Sequence, residues 1–523
     1  MTQKRSLLVV LLAVSMLGAA CSAGPSGRPD VAVEQNSPGL PDKSTADAEP
    51  KNPELQVPVN DLAWTDCTQS TLDLYGLTSR TPGVVLECAD FDAPVDPSGQ
   101  MFGSFSVGAL RAKLDRTPPD AAPLVFTSGS DRASIATLAD LTAGASTTML
   151  EAHPLVAVDR RGIGRSTAID CVKADTRKTR ETLANLGQFA VTDGDAVDRA
   201  VAVGRDATIE CTDLLQPQEV AFATSYAAGD LEQLRIAWGI DALGIVGTGN
   251  GASTALAYAA QYPDRVARLI LDSPTGVNLD QMTVAQQKTE GREAAFTAFL
   301  QRCQALQCSL GSDPKTAVSE LLAQVARGAL APLSTHSVLD GIVYALASSS
   351  GDPSRRTLDL ADALSAARSG DPSALSRLSS RGAVAYGTDG QFVARCIDGQ
   401  QWPSPQAVRD AGARWSEQYP IFGTDAALTA LTCSSWPTAP APPLPTSLSV
   451  PVLELSGAGD PVVGNGGFAS VTGLVAATGA RSAAMTWQGA GHPVLGGSVC
   501  AQAAATAYAT DASLPPDGSV CPA

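Results

Sequence analysis

The sequence predicts an α/β protein with a mostly parallel central sheet and an inserted helical segment, on three observations. First, short apolar runs bounded by turn residues alternate with helical stretches, as βαβ units require: Leu124-Val-Phe126, Leu155-Val-Ala-Val158, Leu243-Gly-Ile-Val246, Leu269-Ile-Leu271, Val452-Leu-Glu-Leu455 and Met485-Thr-Trp487. Second, the run from Leu243 ends in the glycine-dense turn Gly247-Thr-Gly-Asn-Gly251 and passes directly into a helical stretch, Ser253 to Tyr262. Third, between about Pro274 and Ala394 the strand-like runs give way to segments rich in Ala, Leu, Gln and Arg.

In chain order, Lys4 and Arg5 precede the apolar run Ser6 to Leu17, and Gly18-Ala-Ala leads into Cys21, the layout of a secretory signal ending in a lipobox. Cys21 is the expected lipidated N-terminus, anchoring an exported chain to the outer face of the cell membrane. An ordinary signal cleaved after Ala20 is the alternative; the run is short for a membrane span. From Ser22 to about Val57 the chain is rich in Pro, Ser, Asp, Glu, Asn and Lys without periodic apolar residues, which predicts a disordered tether. The expected organisation is therefore a signal over 1–21, a tether over 22–57, a first core segment over 58–274, a helical cap over 275–394 and a C-terminal core segment over 395–523.

Of the 523 residues, 44% are hydrophobic and 17% charged, a globular composition, and the net charge of -17 argues against nucleic acid or an anionic membrane surface as partner. A monomer is expected. Setting Cys21 aside leaves ten of the 11 cysteines, an even set that in an exported chain reads as a disulfide framework. Sequence does not fix connectivity, but near neighbours favour Cys67 with Cys88, Cys171 with Cys211, Cys303 with Cys308, Cys396 with Cys433, and Cys500 with Cys521. None of the three histidines stands at ligand spacing to a cysteine, so no metal is expected. Gly162-Ile-Gly164 lacks the remaining glycines of a dinucleotide fingerprint, so no cofactor is expected either.

A strand, a tight turn and a helix in that order have the geometry of the nucleophile elbow, G-x-S-x-G, of α/β-hydrolases, where a serine hydroxyl is lifted above the sheet. Here the motif reads Gly247-Thr248-Gly249-Asn250-Gly251, and the nucleophile position holds Gly249. Alone, the pattern also fits a plain glycine-rich turn or a phosphate cradle.

Further motifs carry a resemblance. Val158-Asp-Arg-Arg-Gly-Ile-Gly-Arg-Ser166 with Asp170-Cys171, Asp230 with Arg235 and Gly239, Pro263-Asp-Arg-Val266, Arg395-Cys-Ile-Asp398, Trp436-Pro437 and the segment from Cys500 to Cys521 together resemble α/β-hydrolases of the tripeptidyl aminopeptidase type, exported serine exopeptidases with a C-terminal region of their own. The resemblance implies an α/β-hydrolase fold and carries two catalytic positions onto this chain: Asp460 in Gly457-Ala-Gly-Asp-Pro461 as the acid, and His492 in Gly489-Ala-Gly-His-Pro493 as the base. A carboxylate fixes the imidazole tautomer and stabilises its charged form. Backbone N–H groups of Asn250 and Gly129 are the implied oxyanion donors. The loop Thr127-Ser-Gly-Ser-Asp-Arg132 departs from the family's glycine-rich one, because Asp131 brings negative charge to a developing oxyanion unless Arg132 neutralises it.

Two functions follow. One is a hydrolase or peptidase with impaired catalysis, in which His492 activates a water in the space the serine side chain would fill; Thr248 and Ser253 are the nearby hydroxyls. The other is a catalytically inactive binder of a peptide or small acyl ligand. In such peptidases acidic cap residues grip the substrate's amino terminus, which makes Asp280, Glu290 and Glu293 candidates, though helix-surface carboxylates are commonly just solvated.

Overall fold

The computed structural model describes residues 52–77, 81–144, 147–186 and 194–523; the expected signal, Cys21 and the tether as far as residue 51 lie outside the described residues. The last part of the expected tether is not free chain. Leu55 packs against the core, Gln56 bonds Asp241 at 2.9 Å, and the Pro53 carbonyl accepts from Arg268 at 2.7 Å.

Among the described residues ten strands form one sheet: β1 (Thr65–Asp66), β2 (Val84–Pro94), β3 (Ser104–Leu114), β4 (Leu124–Thr127), β5 (Leu155–Val158), β6 (Leu243–Thr248), β7 (Val266–Asp272), β8 (Val452–Gly459), β9 (Ser482–Ala490) and β10 (Ser519–Cys521), in the order β1-β2-β3-β5-β4-β6-β7-β8-β9-β10. From β5 onward neighbours run parallel, while β1, β2 and β3 pair antiparallel at one edge. Each central strand buries side chains on both faces. Phe126, Val246, Ile270 and Leu453 point into one layer, and Val125, Ile245, Leu271 and Val452 into the other. Double-sided burial is why these strands read as unbroken apolar runs.

The edge hairpin of β2 and β3 is an addition to the sequence reading. It is in continuous register from Val84↔Leu114 to Pro94↔Ser104, and its outer face is polar, with Glu87 bridging Arg111 at 2.7 Å and Lys113 at 3.0 Å.

The helical cap is larger than 275–394. Helices start at Gln281, Pro314, Thr335, Pro353 and Ser373, then continue past the expected boundary through Asp389–Asp398, Pro405–Gln418 and Gly423–Thr429 before strand structure resumes at Val452. The helices Ala174–Leu186 and Gly194–Leu215, in the β5 to β6 connection, join them: Leu183, Val197 and Val203 pack with Val408, Trp415 and Leu428. Many starts are readable as a capping residue followed by proline, as in Asp313-Pro314, Asp352-Pro353 and Ser404-Pro405, where the cap side chain accepts a backbone N–H of the first turn. Five disulfides join Cys67 to Cys88, Cys171 to Cys211, Cys303 to Cys308, Cys396 to Cys433, and Cys500 to Cys521. Such a set belongs to a chain that folds in an oxidising compartment outside the cytoplasm.

Candidate active site

Strand β6 ends at Thr248 and the helix Gly251–Gln261 begins three residues later. The turn between them requires its glycines. Gly249 takes φ +56°, and a Cβ on Gly251 would lie 1.9 Å from the Thr127 carbonyl oxygen, so only a bare backbone lets the helix start against β4. Gly249 is held at the apex by its N–H to the Asp272 carbonyl, 3.0 Å, and by its own carbonyl, which accepts from Thr275 at 3.1 Å. The elbow backbone is thus complete without its side chain.

Across from the apex, the Nδ1 of His492 meets the Oδ2 of Asp460 at 2.7 Å, both residues buried. Asp460 is fixed in turn by the N–H groups of Val462 and Val463, which donate to its Oδ1 at 2.8 and 3.0 Å. Burial opposes charge on His492, but Asp460, Asp272 and Asp131 outweigh it and raise the imidazole's pKa. Asp272 ends β7 and accepts from the N–H groups of Val494 and Leu495, just after His492, at 3.0 and 2.9 Å. Burial pushes its carboxyl up to about 6. Asp272 therefore positions both the apex and the histidine loop.

The space above Gly249 is filled. A Cβ built there would lie 3.4 Å from the Cε1 of His492 but only 2.6 Å from the Oδ2 of Asp131. That oxygen accepts the Asn250 N–H at 2.5 Å, the donor the elbow would otherwise offer to an oxyanion. The other oxygen, Oδ1, accepts from Lys288 Nζ at 2.9 Å, and the Asp131 backbone carbonyl accepts from Gln391 at 2.8 Å. Burial alone would raise this carboxyl's pKa; the Lys288 ammonium, the Asn250 N–H and His492 bring it below the usual carboxylate range, so Asp131 is an anion.

Several expectations are corrected here. Lys288 from the cap, not Arg132, balances Asp131; Arg132 lies 4.0 Å from Asp140 and stacks over the Tyr344 ring. Gly129 is no free oxyanion donor, because its N–H points to Thr127 Oγ1 at 3.3 Å. The Asn250 side chain instead latches the loop, accepting from the N–H and hydroxyl of Ser130 at 2.9 Å each. Thr248 is buried with its hydroxyl against Ser128 at 3.1 Å, and Ser253 lies on the helix's first turn, lining the cavity beyond the apex.

That cavity, of about 460 Å³, lies between the elbow and the cap, and Asp131, Asn250 and Lys288 line it. None of the three candidate cap acids does. Asp280 caps the helix Gln281–Ala305 by accepting from Thr283, Glu290 accepts from Tyr419 at 2.8 Å, and Glu293 is held by burial above the usual range. The inward stripe of that helix is Gln281, Val284, Ala285, Lys288, Thr289 and Arg292, spaced for one face. The signal for it in the sequence is the helical period that Lys288 and Arg292 share, which the acids beside them mask.

The loop after β5 is structural. Arg161 is buried and donates to Asp230 through its Nε at 2.8 Å and to the carbonyls of Val95 and Ala221 at 2.9 Å each, while Arg160 pairs with Asp398 at 2.7 Å. These bonds tie the helix Thr224–Trp238, which leads into β6, to the sheet edge and the cap.

Residues 144–311 match the family described as alpha/beta hydrolase fold and residues 419–521 the family described as TAP-like protein. Serine protease Hip1 of Mycobacterium tuberculosis and of Mycobacterium bovis is similar at 27% identity over 331 residues, 57% of this chain and 61% of the relative, so the chain spans about three fifths of the length of these curated relatives. Among solved structures, esterase E22 is similar with 13% identity and a TM-score of 0.36, covering 81% of this chain and 100% of the esterase. Carboxylesterase CesB of Bacillus subtilis gives 14%, 0.32, 82% and 90%. The chain has the α/β-hydrolase fold, and its C-terminal residues 419–521 are of the TAP-like type.

Proposed function

We propose that this chain is an exported, lipid-anchored, peptidase-like α/β-hydrolase whose serine chemistry is disabled by two changes that reinforce each other, and that it holds a peptide or small acyl ligand beneath its cap. The observation that carries the reading is the Asp131 carboxylate at the apex, 2.5 Å from the Asn250 nitrogen. Gly249 removes the attacking hydroxyl, and Asp131 places an anion where acyl transfer would build one. Loss of the nucleophile alone costs such triads about 10⁶ in turnover; an anion in the oxyanion position removes part of what would remain.

A second reading rests on the surviving pair of Asp460 and His492, which keeps the orientation a general base needs. In it, His492 activates water for slow hydrolysis whenever Asp131 moves aside. One experiment separates the two. The purified chain is treated with a serine-directed fluorophosphonate and assayed against aminoacyl and tripeptidyl reporters. The proposal expects neither labelling nor turnover above background. Turnover without labelling, abolished in His492→Ala, selects the water mechanism, and labelling of the natural protein overturns both.

A further inference from the structure

The cavity wall gathers Arg180, Lys288, Arg292, Arg395 and His336 against the carboxylates of Asp131, Asp340, Asp398 and Asp425, and most of those carboxylates already have a partner. Asp131 has Lys288 at 2.9 Å, Asp398 has Arg160 at 2.7 Å, and Asp425 and Asp340 share His336 at 2.8 and 3.5 Å. Three further cavity-lining cations, Arg180, Arg292 and Arg395, make no ion pair among the described residues, although Arg180 stacks over the Phe392 ring at 4.6 Å. They come from three different elements, the helices Ala174–Leu186, Gln281–Ala305 and Asp389–Asp398, so no local helix pattern explains their convergence. Buried Nη1 of Arg180 and Nε of Arg292 lack hydrogen-bond partners, as does the buried hydroxyl of Tyr386 on the same wall.

Uncompensated donors of this kind are costly in a folded protein unless a ligand uses them. Burial lowers the pKa of Arg180 to about 10, with Arg395 adding to the effect and Asp389 and Glu181 opposing it; burial also depresses Arg395, where Asp340 and Asp131 oppose the shift and Arg292 adds to it. The chain as a whole is at -17, so three arginines converging on one wall without ion pairs are not a by-product of composition. Planar guanidinium groups match a carboxylate bidentately. The rest of the wall is mixed, with the amides of Asn278, Gln281 and Gln401 set among Val277, Leu279, Phe392 and Trp402, a lining that suits the alternating polar and apolar groups of a peptide.

We propose that Arg180, Arg292 and Arg395, with the hydroxyl of Tyr386, form a subsite for a carboxylate carried by a peptide ligand. The proposal rests on the reading that the cavity under the cap holds a peptide. The carboxylate has two sources, the ligand's C-terminus or an acidic side chain.

The test is calorimetric binding to the full mature chain of acetyl-trialanine as free acid, the same peptide as C-terminal amide, and an amide with glutamate as its last residue. The free acid or the glutamate peptide should bind at least about tenfold tighter than the neutral amide, the loss expected when charged hydrogen bonds go unmade. Whichever of the two binds tighter names the source. Added salt should erode that preference in the natural protein, and Arg292→Gln and Arg180→Gln should abolish it. Equal binding of acid and amide would overturn the subsite while leaving the peptide pocket standing. Binding of none of the three, or of laurate alone, would overturn the peptide reading and the subsite together. A preference untouched by both arginine variants, with their melting curves intact, would place the carboxylate elsewhere and overturn this assignment.

Discussion

Asp131 and Asn250 are joined by a 2.5 Å hydrogen bond from the elbow N–H to the carboxylate, so the donor that defines an oxyanion hole is taken by the protein's own anion. Restoring the serine alone will therefore not restore the site. A Cβ added at Gly249 would stand 2.6 Å from Asp131 Oδ2, and Lys288 and Asn250 hold that carboxylate in place. Gly249→Ser should label with a fluorophosphonate at least about ten times more slowly than Gly249→Ser combined with Asp131→Gly, and labelling of the double variant should vanish with His492→Ala. Equal labelling of single and double variants would show that Asp131 swings aside freely.

Much of this is legible in the chain. The elbow, Asp460 and His492 sit at turns whose glycines and neighbours announce them. Asp131 stands out in the sequence as a charge in the wrong place, but its partner does not, because Lys288 is 157 residues away and reaches it only through the folded cap. The hairpin of β2 and β3 escapes the sequence reading because its alternating, half-polar pattern differs from the fully buried runs of the central strands. The cap's true extent escapes it for the opposite reason: Leu183 and Val197 sit in the β5 to β6 connection, and nothing local tells them to pack on Trp415.

Arg161 should be indispensable to the fold. It is buried, and removing it leaves Asp230 as an unpaired buried charge and orphans the carbonyls of Val95 and Ala221. Arg161→Leu should cost about 3–5 kcal/mol in urea denaturation, the range for breaking a buried pair from one side. A change under about 1 kcal/mol would mean that water or a neighbour replaces the pair.

The proposed anchor is testable independently of the site. The charged, apolar, small-residue order that ends at Cys21 should yield a diacylglyceryl-modified N-terminal cysteine in the membrane fraction, read by mass spectrometry. Cys21→Ser should release the chain from that fraction. Complete recovery of unmodified natural protein from the medium contradicts the anchor.

His336 gives the cap a pH dependence of defined sign. Its Nδ1 meets Asp425 at 2.8 Å and its Nε2 lies 3.5 Å from Asp340, joining the helix Thr335–Ala347 to the helix Gly423–Thr429. Burial works against the imidazolium, but the two carboxylates prevail and raise its pKa from 6.5 to about 9. A group whose pKa is higher folded than unfolded contributes stability that is complete below the unfolded value and disappears as pH climbs through the folded one. Melting temperature should therefore fall between about pH 6.5 and pH 9 in the natural protein, the window set by those two values. His336→Gln should melt lower at pH 6 and lose most of that slope, since the neutral amide keeps a hydrogen bond but has no proton to release. A natural protein whose melting temperature is flat over this window would show that His336 takes up no proton on folding, and a variant with an unchanged slope would show that another group carries the dependence.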